Sequence, residues 1–184
     1  MTRFLAISLS ISLILLSFPC LAQEAAPVES TVPAVMEAPA EPPGRATALP
    51  LPRFVSLKAS KVSVRTGPAM RYPIKWIYKR EQMPVEIVQE FDTWRKIRDF
   101  EGGEGWVHQS LLSGARTVMI KSDELVPMRK DSADNARVIA RIEAHVIASV
   151  KECIPSSCEV DAEGFDGWVD RKFLWGIYES EELN

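Results

Sequence analysis

The tripeptide Gly-Trp-Val occurs twice, at Gly105-Trp106-Val107 and Gly167-Trp168-Val169, and other anchors recur around it in the same order. Val64-Arg65 matches Met128-Arg129, and the run from Ile74 to Tyr78 matches the run from Val138 to Ile142. Leu111-Leu112 followed by Gly114 matches Phe173-Leu174 followed by Gly176. The offset between partners stays between about 62 and 64 positions, so a large part of the chain is one structural unit written twice. The repeats are expected at 53–117 and 118–178, with an acidic tail at 179–184.

Within the first unit the texture is that of short strands separated by turn residues. Val62-Ser63-Val64-Arg65 and Trp94-Arg95-Lys96-Ile97-Arg98 alternate, and Val85 to Phe91 is long and rich in β-branched residues. Ile74 to Tyr78 and Gly105 to Val107 complete a set of five. Thr66-Gly67-Pro68 opens a long irregular connection, and Glu101-Gly102-Gly103-Glu104 is a hairpin turn. Five short strands at this spacing predict a small all-β barrel or sandwich in each repeat. Trp106 and Trp168 hold matched positions, which assigns both to the barrel cores as structural residues.

These anchors resemble the bacterial SH3 domain family, and in particular tandem SH3-like proteins exported by Gram-negative bacteria. Val62 to Pro68 is similar to the family's opening strand and its turn into the RT loop; Pro84-Val85-Glu86-Ile87 is similar to a second core strand. Trp94-Arg95-Lys96-Ile97 and Gly105-Trp106-Val107-His108 are similar to the last two. The resemblance implies a five-stranded, partly open barrel with a binding or adaptor role and no catalysis. The second repeat departs from the pattern, with Lys130-Asp131-Ser132 in place of Thr66-Gly67-Pro68 and Ser157 near the Trp94 position. That departure puts ligand binding by the second repeat in doubt.

The N-terminus reads as a secretory signal. Arg3 precedes an almost wholly apolar run over 4–18, and Cys20-Leu21-Ala22 places small residues at the two positions a signal peptidase reads. The run is short for a permanent span, which needs about 20 residues. Cleavage is expected near Ala22, which puts the protein in the periplasm or outside the cell with no stable membrane span. Lipidation of Cys20 is disfavoured by Ser17 and Pro19 at the positions that flank such a site. Residues 23–52 are Pro, Ala and Glu with no periodicity, a flexible linker biased towards polyproline II. After cleavage Cys153 and Cys158 remain, an even count in an oxidising compartment. Two thiolates do not complete a zinc shell, and the C-x4-C spacing lacks the form of a redox motif. A disulfide across a hairpin is the expected state.

Charge is divided between the repeats. Residues 53–117 hold 12 Lys and Arg against 7 Asp and Glu, whereas 118–184 hold 8 against 14. Such asymmetry speaks of partners rather than fold. The repeats either dock basic face to acidic face, or the first meets an anionic ligand through Arg71, Lys75, Lys79 and Arg80 with Arg95 and Arg98. In SH3-like barrels, aromatic residues beside the RT loop receive extended peptide. Tyr72 and Trp94 lie in those regions and join Arg71, Lys75 and Arg95 as candidate ligand-binding residues.

Enzyme signals are absent. His108 and His145 stand alone, with no nucleophile motif, phosphate loop or metal-spaced cluster nearby, so neither cofactor nor metal is expected. A slightly negative exported chain is also a poor partner for nucleic acid. The expected partner is an envelope peptide, peptidoglycan or a protein; the alternatives are an adaptor for another envelope protein and an accessory subunit of an envelope hydrolase.

Overall fold

A computed structural model describes residues 47–133 and 135–183. The signal sequence expected at 1–22, and the linker up to residue 46, lie outside the described residues.

The chain forms two seven-stranded antiparallel sheets of the same design. The first contains β1 (Arg53–Leu57), β2 (Val62–Arg65), β3 (Ile74–Tyr78), β4 (Pro84–Phe91), β5 (Trp94–Arg98), β6 (Glu104–His108) and β7 (Leu112–Ser113), in the order β3-β2-β6-β5-β4-β1-β7. The second contains β8 (Thr117–Ile120), β9 (Val126–Arg129), β10 (Val138–Ile142), β11 (Ile147–Cys153), β12 (Ser157–Ala162), β13 (Phe165–Asp170) and β14 (Leu174–Trp175), in the order β10-β9-β13-β12-β11-β8-β14. A single 3-10 turn precedes the last strand of each, at Gln109–Leu111 and Arg171–Phe173. The five strands expected in each repeat are present; β1 and β7, and their partners β8 and β14, are additions.

Each barrel closes on its own apolar core. Leu57, Val62, Val64, Val85, Ile87, Ile97 and Val107 fill the first; Val118, Ile120, Val126, Met128, Val160 and Val169 fill the second. The glycine of each Gly-Trp-Val sits where two strands nearly touch. A Cβ on Gly105 would stand 2.3 Å from Val64 Cγ1, and one on Gly167 2.5 Å from Met128 Cγ. Alternation then decides the neighbours: Gly105 and Val107 face inward, so Trp106 faces outward, and Trp168 does the same. Both rings are half-buried on the outer face, which corrects the expectation that Trp106 and Trp168 are core residues.

The two barrels meet along a seam built mostly from β1 and β4 on one side and β8 and β14 on the other. β1 and β8 therefore bury both faces. Val55 and Leu57 face the first core, while Phe54 turns outward and packs edge-on to Trp175 (5.2 Å between centroids) and against Tyr178 (4.7 Å). Ser56 Oγ and Thr117 Oγ1 lie 2.6 Å apart; Ser56 also donates to the Ala115 carbonyl, and Thr117 to that of Gln82. Tyr178 donates its hydroxyl to Glu86 Oε1 at 2.7 Å, and Arg98 reaches the other Glu86 oxygen at 3.3 Å. Burial, with the Glu86 carboxylate as acceptor, pushes the Tyr178 phenol well above its ordinary range. Ile147 of β11 packs into the first core. The seam is aromatic and hydrogen-bonded, so the expectation of basic-to-acidic docking does not describe it. Arg116 to Glu181 (2.6 Å) is the ion pair that joins the repeats among the described residues.

Both ends of the folded region are tied down. Thr47 gives its backbone N–H and hydroxyl to Glu90, although it lies within the stretch read as linker. Glu181 accepts from Arg116, and Leu183 bridges Cys153, although both lie within the stretch read as a tail.

Candidate functional site

The connection over residues 66–73 is an ordered loop. Thr66 N–H donates to the Pro73 carbonyl, Tyr72 N–H to that of Ala69, and the Arg65 guanidinium to that of Tyr72 at 2.7 Å. The Tyr72 ring lies against Gly67, where a Cβ would stand 2.7 Å from the ring carbons. Gly67 is thus the residue that admits the ring. The Arg71 guanidinium covers Tyr72 at 5.2 Å from the centroid.

β3 continues this surface. It is an edge strand, hydrogen-bonded only to β2, and it exposes Ile74, Lys75 and Ile77. Met70 stands out from the loop at 71% exposure, the most exposed large apolar side chain of the described residues. Lys75 sits over Trp76 at 5.0 Å and donates to the Glu104 carbonyl at 2.8 Å. Trp76 and Tyr78 turn inward against the core, and the Tyr78 hydroxyl donates to Asp99 at 2.6 Å. Among the described residues Arg71, Lys75, Lys79 and Arg80 make no ion pair, whereas Lys96 and Arg98 are paired with Glu104. The loop and edge therefore hold cations that no acid among the described residues neutralises, interleaved with apolar side chains.

Two of the sequence candidates lie elsewhere. Trp94 is buried to 7% exposure and packs edge-on to His108 at 5.5 Å. Arg95 is buried to 3%; it donates to the Asp92 and Trp94 carbonyls and to Gln109, and it pairs with Glu90 at 3.2 Å. Its donors are spent inside the protein, so the structure removes Arg95 from the ligand-binding set and gives Trp94 a packing role. Glu90 explains the burial. Desolvation pushes its carboxyl up, but hydrogen bonds from Thr47 and Arg53 outweigh that and bring it down to about 2. The arginine partner across the hairpin and a threonine six residues before the start of β1 gave no sequence signal together. Arg71, Tyr72 and Lys75 are the candidates that the structure brings together.

In the second repeat the same loop is drawn with other residues. Lys130 N–H donates to the Arg137 carbonyl, Ala136 N–H to that of Ala133, and the Arg129 guanidinium to that of Ala136. Each bond matches one in the first repeat, and Ala136 holds the place of Tyr72.

The sequence model of the bacterial SH3 domain family matches the chain twice, at residues 58–114 and 122–176. This chain belongs to the bacterial SH3 domain family. Both matched stretches fall within the two sheets, and the family's domains are binding modules. Two solved structures, NlpC2 and NlpC1 from Trichomonas vaginalis, are each 9% identical to this bacterial SH3 chain and cover 71% of it, at TM-scores of 0.33 and 0.32. The chain spans about half the length of each, 50% and 48%. No curated protein matches it. Cys153 and Cys158 form a disulfide between facing residues of β11 and β12, as the cysteine count implied. The described residues hold no helix long and apolar enough to cross a membrane, and no group of metal-ligating side chains.

Proposed function

We propose that this tandem bacterial SH3 protein is an exported, non-catalytic binding module of the cell envelope, and that its first repeat holds an extended anionic peptide, such as the peptide of peptidoglycan. The observation that carries this reading is the set of cations Arg71, Lys75, Lys79 and Arg80, which make no ion pair among the described residues, beside a strand edge that no described strand pairs, with Met70, Ile74 and Ile77 exposed between them. An extended chain adds hydrogen bonds along such an edge, its apolar groups cover the exposed side chains, and its carboxylates meet the cations. Tyr72, fixed against Gly67 and covered by Arg71, supplies a rigid aromatic wall. Export rests on the Arg3, apolar 4–18 and Ala22 pattern.

Co-sedimentation of the purified protein with isolated cell-wall sacculi tests the reading. Binding is expected at low salt, weakening steeply as salt screens the contacts. Arg71→Ala combined with Lys75→Ala is expected to lower it at least tenfold while leaving the melting temperature unchanged. No binding at low salt, or binding indifferent to these changes, would overturn the reading and point to a protein partner instead.

A further inference from the structure

The two barrels share a design but not a filling. Register fixes which residues correspond. Val64 faces Trp76 in the first repeat, and Met128 faces Ala140 in the second. Val62 faces Tyr78, and Val126 faces Ile142. Leu57 N–H donates to the Met83 carbonyl, and Ile120 N–H to that of Val146. Asp99, just beyond the Arg98 to Glu104 pair, corresponds to Ala162, just beyond the Asp161 to Asp166 pair. Thus Trp76, Tyr78 and Met83, which pack on the first core, are replaced by Ala140, Ile142 and Val146. The hydrogen bond from Tyr78 to Asp99 has only Ile142 and Ala162 in its place.

Met128 is larger than Val64 but does not fill the space. A cavity of about 480 Å3 remains, walled by Met128, Ala140, Ile142, Val146 and Ala162, with Phe165 at its lip. Phe165 is 66% exposed, so the aromatic ring that borders the opening faces solvent instead of closing it. This volume lies within the range of sites that take small ligands. The rim carries Arg141 against Glu143 and Glu163, in the repeat where 14 acids outnumber 8 bases.

We propose that this cavity in the second repeat is a docking site for an aromatic side chain, of tryptophan or tyrosine size, presented by a partner polypeptide with Lys or Arg on either side of it. The aromatic ring takes the place that Trp76 and Tyr78 occupy in the first repeat. The flanking cations meet Glu143 and Glu163. The site is separate from the basic loop of the first repeat and selects the opposite charge, so one tandem holds two unlike sequences.

The test is amide NMR titration of the isotope-labelled protein with the peptide acetyl-Lys-Trp-Lys-amide. Saturable shifts confined to residues around Ala140, Val146, Ala162 and Phe165 are expected. Acetyl-Lys-Ala-Lys-amide and acetyl-Glu-Trp-Glu-amide are each expected to bind at least fivefold more weakly. Ala140→Trp, which refills the space from within, is expected to abolish the shifts. Should that variant misfold, Glu143→Lys with Glu163→Lys leaves the walls intact and is expected to reverse the preference between the two Trp peptides. Equal binding of the Trp and Ala peptides, shifts centred on the first repeat, or an unchanged charge preference in the reversed variant would each overturn the proposal. None of these outcomes bears on sacculus binding by the first repeat.

Discussion

The same hairpin is held shut in two ways in the two repeats. In the first, β4 and β5 are joined by the Asp92-Thr93 turn, and Phe91 faces Trp94 across it. In the second, β11 and β12 are joined over a longer loop, and Cys153 faces Cys158 through a disulfide. Where the first repeat places the buried Trp94 opposite His108, the second has Ser157 opposite Asp170. A bulky ring locks one hairpin by packing and a covalent link locks the other. The backbone frame tolerates either, which is why the fold persists while the surface chemistry of the repeats diverges.

The largest expected effect comes from breaking the seam that makes the comparison possible. Phe54→Ala removes a buried ring from between Trp175 and Tyr178 and should cost about 3–5 kcal/mol. Calorimetry is expected to show one transition in the unaltered protein and two in the variant; two transitions in the unaltered protein would show that the seam does not couple the barrels, and one transition in both would show that the coupling does not depend on Phe54.

Replacing both Cys153 and Cys158 with Ser comes next. Releasing so short a loop should cost about 2 kcal/mol by chain entropy. Denaturant unfolding would read it, and a loss much below about 1 kcal/mol would mean that packing, rather than the covalent link, holds the second hairpin shut.

The clamp on Glu90 predicts an acid limb. Its carboxyl is lowered from an ordinary value of 4.5 to about 2 in the folded protein. The stabilisation is therefore complete above about pH 4.5 and is lost as the pH falls towards 2. Thr47→Ala removes one acceptor contact of the carboxylate, and should lower the stability at pH 7 by about 1 kcal/mol while flattening the fall below pH 4.5. An unchanged profile would show that Arg53 and Arg95 suffice.

The smallest effect on stability, yet the sharpest on function, is Gly67→Ala. Its Cβ would displace the Tyr72 ring, at a cost in stability of under about 1 kcal/mol because the ring can swing outward. Sacculus binding should nevertheless fall several-fold. In the second repeat Asp131 holds the place of Gly67, so Ala136→Tyr should seat its ring only when joined with Asp131→Gly. Sacculus binding gained by the double variant and not by the single one would complete the comparison.

Much of this was legible in the sequence. Alternation in Val62 to Arg65 and Trp94 to Arg98 marked strands, and the matched anchors marked the tandem. β1 and β8 left no such mark because both their faces are buried, one in a core and one in the seam, so the inside-outside rhythm is missing. The outward placement of Trp106 could have been read from its neighbours: Gly105 and Val107 share a face, and the small valine is the one that fits a narrow core. The burial of Arg95 was illegible, since it depends on Glu90, Arg53 and Thr47 meeting at one place from distant points of the chain. The match of Trp76 with Ala140 follows from the constant offset of the repeats, but the cavity it leaves could not be read from the sequence, because it also depends on Met128 not filling the space and on Phe165 facing solvent.

The seam has a consequence for how such a chain can change over generations. A duplicated unit usually remains portable, free to be copied, excised or moved next to another domain. Here Phe54, Ser56 and Glu86 on one side and Thr117, Trp175 and Tyr178 on the other complete each other's surfaces. Severing the gene between them would leave each half with an exposed apolar and hydrogen-bonding flank, a cost that favours keeping the two halves together while their outer surfaces diverge.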